Sequence, residues 1–300
     1  MTVLVRLAYD GTDYHGFARQ VAQGVRTVQG CLEDALAGLY GQPVVSHAAS
    51  RTDAGVHALG QVVGFEAPLR IPMRGVVLGL LSKLPPDIGV LAAWEAEAPG
   101  GGPVDPRFWN LGKRYRYRIR TTARRVPATH RHEWHLPRRL DLAAMQAAAG
   151  HFVGEHDFAG FRAVGCQART TVRRVQAVDV HGGPAGDELA ADPPCLPAAD
   201  PEVITISVRG EAFLQNMVRI MVGTLVEVGT GRREPAAIAD LLAAPDRRRS
   251  GATAPPQGLT LVEVLWPDPW PPPSHAPHAS RTPAGGAADP TTTLEADATE

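Results

Sequence analysis

Cysteine is scarce: the chain of 300 residues holds three, Cys31, Cys166 and Cys195, all far apart. No CxxC pair or Cys/His cluster at metal-ligand spacing occurs, which argues against a disulfide scaffold and against a structural zinc motif. No apolar run approaches the ~18 residues needed to cross a bilayer. Met1 to Ala8 reads as a strand and carries no charged-then-apolar leader. A glycine-rich phosphate loop is also missing. These absences predict a cytoplasmic protein, neither embedded in a membrane nor exported.

Strong net charge is lacking too, at −1 overall, but the charges are segregated. Residues 267–300 carry five acids against one base, and residues 182–202 carry five acids and no base. Between Arg107 and Arg139, by contrast, eleven lysines or arginines face a single acid, Glu133. A local field of this kind binds phosphate backbones through counterion release, so a nucleic-acid partner is physically reasonable.

The hydrophobic pattern predicts an α+β fold, because strands and helices interleave without a steady βαβ rhythm. Strands are expected at Thr2–Tyr9, Val44–Ala49, Gln61–Glu66, Lys113–Arg120, Thr171–His181, Val203–Arg209 and Leu259–Leu265. Helices are expected at Thr27–Tyr40, with Thr27 as N-cap and Gly41 after the last turn, and at Pro72–Leu81, Leu142–Phe152, Ala212–Val228 and Pro235–Ala243. In Lys113–Arg120 the alternation puts Tyr115 and Tyr117 on one face and Arg114, Arg116, Arg118 and Arg120 on the other. The glycine-rich stretch Pro99–Pro106 reads as a linker between an N-terminal subdomain, 1–103, and a C-terminal one, 104–266. Eight prolines in residues 267–300 predict a disordered tail, and the acidic 182–202 segment reads as an exposed hairpin insertion.

The segment richest in chemistry is Ser50-Arg51-Thr52-Asp53-Ala54-Gly55-Val56-His57. A carboxylate beside an arginine on a loop between strands can be a poised catalytic group, although Asp-Ala-Gly alone is also a common turn. This segment resembles the catalytic loop of the TruA family of tRNA pseudouridine synthases. The likeness continues through Tyr9-Asp10-Gly11-Thr12-Asp13-Tyr14-His15-Gly16-Phe17, Leu84-Pro85-Pro86-Asp87-Ile88 and Lys113-Arg114-Tyr115-Arg116-Tyr117. It extends to Asp157-Phe158, Phe161-Arg162 and Met217-Val218-Arg219, in family order over residues 3 to about 266. Ser50 departs from the family's usual glycine, and Leu81 from a common asparagine.

The resemblance implies two subdomains with mostly antiparallel sheets flanked by helices around a central basic cleft. It implies isomerisation of uridine to pseudouridine at positions 38, 39 and 40 of the tRNA anticodon stem-loop, with no cofactor or metal, by a homodimer. Carried over to this chain, Asp53 is the catalytic carboxylate and Arg51 the residue that holds it ionised and fills the gap left by an extruded base. Tyr115 is the ring stacked on the target base, and Arg219 a second arginine expected to pair with Asp53. His57 is expected to pack the loop. Arg114, Arg116 and Arg118, with Arg124 and Arg125 beyond them, suit contact with RNA phosphates. A non-catalytic RNA-binding protein and a synthase with another RNA target are the alternative readings.

Overall fold

In the computed structural model the described residues are 1–20, 24–98, 100–183 and 203–267. The expected tail and nearly all of the acidic 182–202 segment, with Cys195, lie outside them.

Ten strands form one sheet in the order β4-β1-β3-β10-β5-β9-β8-β7, with short β2 on β3 and β6 on β5. The strands are β1 (Thr2–Tyr9), β2 (Ser46–Ala48), β3 (His57–Glu66), β4 (Ile88–Ala96), β5 (Gly112–Arg120), β6 (Trp134–His135), β7 (Gly154–Asp157), β8 (Val172–Gly182), β9 (Val203–Gly210) and β10 (Leu259–Leu265). The pairings are antiparallel except β10 on β3 and β6 on β5. Helices α1 (Val28–Tyr40), α2 (Met73–Leu81), α3 (Pro106–Trp109), α4 (Leu142–Gly150), α5 (Met217–Gly229) and α6 (Ala237–Ala243) complete the α+β architecture. None is long and apolar enough to cross a membrane among the described residues.

Helix α1 shows how local sequence sets these elements. The Thr27 hydroxyl accepts the Gly30 N–H, Gly41 ends the helix at φ 73°, and Val28, Leu32, Ala35, Leu36 and Tyr40 supply the buried stripe. Elsewhere the boundaries shift for tertiary reasons. β3 begins at His57, four residues before the expected start, because His57 and Ala58 pair with Thr260 and Leu261 of β10. Helix α5 begins at Met217 and not at Ala212, since residues 212–214 are irregular and 215–216 form a turn ahead of it. β4 is absent from the sequence reading, where Gly89, Ala92 and Ala93 blunt the β-branched signal.

The sheet runs unbroken past the expected boundary at residue 103. The Thr2 hydroxyl accepts the Val104 N–H at 3.1 Å, and Val104 is buried. The N-terminal strands β4, β1 and β3 meet the rest of the sheet at the two-residue β3–β10 seam. That seam lies directly after the Asp53 loop.

Candidate active site

Residues 50–56 run from β2 into β3 and are tied down by the 14–17 segment. Phe17 N–H donates to Thr52 O at 3.0 Å, and Gly55 N–H to Tyr14 O at 3.2 Å. The buried hydroxyls of Thr52 and Tyr9 lie 2.8 Å apart. Close backbone approach makes this possible: a Cβ on Gly11 would fall 1.9 Å from Val56 O, and Gly55 has φ +75°. With Thr52 turned inward, the Asp53 carboxylate is left in a half-covered position, its side chain 23% exposed.

The cation facing Asp53 comes from α5. Arg219 Nη1 lies 3.9 Å from Asp53 Oδ2. It is held there by its own bonds, from Nε to Ala254 O at 2.7 Å and from Nη1 to Asn216 Oδ1 at 2.9 Å. Asn216 has φ 61°, alone among described non-glycine residues in the left-handed region. Its backbone N–H donates to the Asp53 carboxylate. The strain of that conformation thus aims an N–H, at the positive end of α5, toward a negative charge. Burial pushes the Asp53 pKa up; Arg219 and the Asn216 N–H pull against it without cancelling it.

Tyr115 of β5 forms the next wall. It is buried, meets Phe213 edge-on with centroids 5.3 Å apart, and places its hydroxyl 2.8 Å from Ser50 Oγ. Burial drives its phenol well above the ordinary range, against the Ser50 hydrogen bond, with the nearby charges of Tyr9 and Asp53 adding to the rise. Tyr9 is itself pushed up to about 12 by burial. Tyr117 donates its hydroxyl to Pro255 O at 2.7 Å, fixing the segment that also holds Arg219.

Arg51 does not join this group. It is exposed and forms no ion pair with Asp53 among the described residues; the ion pair present on Asp53 is the one expected of Arg219. Spacing in the sequence suggested Arg51, but the inward turn of Thr52 separates the two neighbours. His57 is buried, and its Nδ1 accepts the Gly11 N–H at 3.1 Å.

The arginine face of β5 also differs from a solvated surface. Arg116, Arg118 and Arg120 are buried, and Arg118 and Arg120 both bind the buried Glu133, each at 2.6 Å. Arg114 pairs with Glu263 of β10 at 3.2 Å. Arg107, Arg124, Arg125, Arg131, Arg138 and Arg139 are the exposed cations of this region, and of these Arg131 pairs with Asp13 at 3.2 Å. Sequence reasoning missed Asn216, whose only signal is an αL-tolerant residue just ahead of an apolar helix. It also missed the Ser50–Tyr115 bond, which no local pattern encodes.

A half-buried, cation-flanked carboxylate and a buried phenol ring thus lie at a seam of a mostly antiparallel sheet. The sequence profile of the tRNA pseudouridine synthase family matches residues 7–97 and 148–267, and the chain belongs to that family. It is 46% identical over 260 residues to tRNA pseudouridine synthase A of Geotalea uraniireducens, covering 87% of this chain and 97% of the relative. Identity to the Geobacter sulfurreducens enzyme of that name is 46% over 263 residues, covering 88% and 98% of the two chains. The Myxococcus xanthus one is 43% identical over 262 residues, covering 87% and 91%.

Proposed function

We propose that this protein is a cytoplasmic, homodimeric isomerase that converts uridine to pseudouridine at positions 38, 39 and 40 of the tRNA anticodon stem-loop, with Asp53 as its catalytic carboxylate. The observation that carries the reading is the Asp53–Arg219 pair beside the Tyr115 ring. A protein that only bound RNA would have no use for a carboxylate in a site meant for phosphates.

The reaction breaks the bond between ribose carbon 1′ and ring nitrogen 1, turns the uracil, and joins carbon 1′ to carbon 5. The proton leaves carbon 5 and nitrogen 1 regains one, so no electrons are exchanged with a third party. Asp53 acts either by attack on the sugar or by removing the proton from ribose carbon 2′, and both routes need it ionised. Arg219 and the Asn216 N–H favour that ionised form. Tyr115 offers a face on which the detached uracil keeps its orientation. The target base has to leave its stack to reach Asp53, and Arg51, exposed and without an ion pair or side-chain hydrogen bond among the described residues, would fill the gap. With Arg118 and Arg120 committed to Glu133, contact with phosphates falls to the exposed Arg107, Arg124, Arg125, Arg138 and Arg139.

Release of tritium from carbon 5 of labelled uridine in unmodified tRNA tests the proposal. Wild type releases label; Asp53→Asn retains tRNA binding and releases none. Equal turnover by the two proteins would remove Asp53 from the chemistry.

A further inference from the structure

Three consecutive arginines, Arg247, Arg248 and Arg249, follow α6, distant in sequence from both Asp53 and Arg219. Arg248 and Arg249 are exposed, and Arg248 pairs with the neighbouring Asp246 at 2.8 Å. Arg247 is half-buried and differently engaged. Its Nη1 donates to Gly251 O and its Nη2 to Thr253 Oγ1, each at 3.1 Å. Its charge meets no carboxylate among the described residues. A guanidinium spent on two neutral acceptors of one short segment acts through the planar geometry of its fork.

That segment, 251–256, runs from α5 to the Asp53 loop. Gly251 N–H donates to the buried Thr224 Oγ1 at 3.0 Å. Ala254 N–H donates to Arg219 O at 3.1 Å, and Ala254 O accepts Arg219 Nε at 2.7 Å, so one residue holds Arg219 by backbone and side chain together. Pro255 O accepts the Tyr117 hydroxyl. The Pro256 ring sits against Gly55, where a Cβ would fall 2.9 Å from it. The segment thus touches the cation, the β5 tyrosine and the loop of the carboxylate in succession.

We propose that Arg247 is a positioning residue for the isomerisation: its fork fixes the path of 251–254 and thereby the Arg219 guanidinium opposite Asp53. The role rests on Asp53 as the catalytic carboxylate. Arg219 Nη1 stands 3.9 Å from Asp53 Oδ2, beyond hydrogen-bond length, so the pair is coupled by charge through space and its strength follows the separation. A guanidinium aimed by a backbone carbonyl moves when that carbonyl moves. The other titratable groups coupled to the pair, Tyr115 and Tyr117, are raised far above the ordinary phenol range by burial and stay neutral. A displaced segment is therefore felt at Asp53.

Two variants of the full chain test this. Arg247→Lys keeps the charge and loses the fork; Thr253→Val keeps the shape and loses one acceptor. Tritium release from carbon 5 of uridine in unmodified tRNA gives kcat and KM across the acid limb. Arg247→Lys is expected to lower kcat about tenfold or more, with KM within about twofold, and to move the acid limb of kcat/KM to higher pH. Thr253→Val moves the limb the same way by less. In an Arg219→Gln background Arg247→Lys moves it no further, because the two residues act in series. A protein that is only less well folded loses amplitude at every pH and leaves the limb in place. An unmoved limb in both variants, a shift that adds in full to that of Arg219→Gln, or a raised KM at unchanged kcat would overturn the role. Wild-type turnover by Asp53→Asn would remove the catalytic reading and this role with it; an inactive Asp53→Asn beside an unmoved limb removes the role of Arg247 alone.

Discussion

Asp53 draws its properties from Arg219 and the Asn216 N–H, both at the head of α5, and from the burial its own loop imposes through Thr52. Because burial leaves its pKa raised, the acid limb of the pH–rate profile should fall above the ordinary aspartate value of 3.8. Arg219→Gln removes the opposing cation, so that limb should move to higher pH, read from kcat/KM against pH. An unmoved limb would separate Arg219 from Asp53. The second residue-scale dependence is on Ser50, which meets the Tyr115 hydroxyl at 2.8 Å. Ser50→Ala leaves a buried phenol short of a partner and should cost about 1–2 kcal/mol in urea unfolding. Its turnover should fall far less than that of Asp53→Asn.

At the scale of elements, β5 is buried on both faces although its alternation of tyrosines and arginines suggested one wet face. It lies inside the sheet between β10 and β9, and the chain after it returns to bring Glu133 down onto Arg118 and Arg120. Burial alone would raise the Glu133 pKa, but hydrogen bonds from Arg120 and Arg118 outweigh it and hold it below 4.5. A carboxyl whose folded pKa is depressed stabilises the protein above its unfolded pKa and loses that contribution as pH falls through the folded value. Glu133→Gln should therefore destabilise at neutral pH, by about 3–5 kcal/mol for a broken buried charge cluster. It should also flatten the loss of Tm below about pH 4.5. The element types were legible because capping and periodicity act locally, as in α1. The early start of β3 and the late start of α5 were not, since each is fixed by a partner distant in sequence.

Over the whole molecule, the charge excess seen between Arg107 and Arg139 divides into two populations, one spent inside the fold and one exposed. Only the second can release counterions from RNA. Arg124→Ala with Arg125→Ala should weaken tRNA binding and flatten its dependence on salt, measured by filter binding over a salt series; an unchanged slope would place the contact elsewhere. By itself the sequence determined the α+β class, most of the strands and helices, the Asp53 loop and the family. Those rest on periodicity, capping and motif order, all written within a few residues of one another. Tertiary structure alone decided that Arg51 stays apart from Asp53, that Asn216 donates to it, that Arg116, Arg118 and Arg120 of β5 are buried, and that Asp10, His57 and His132 meet. Each of these depends on which distant segments the single sheet brings into contact, and a distance through space is not encoded in a separation along the chain.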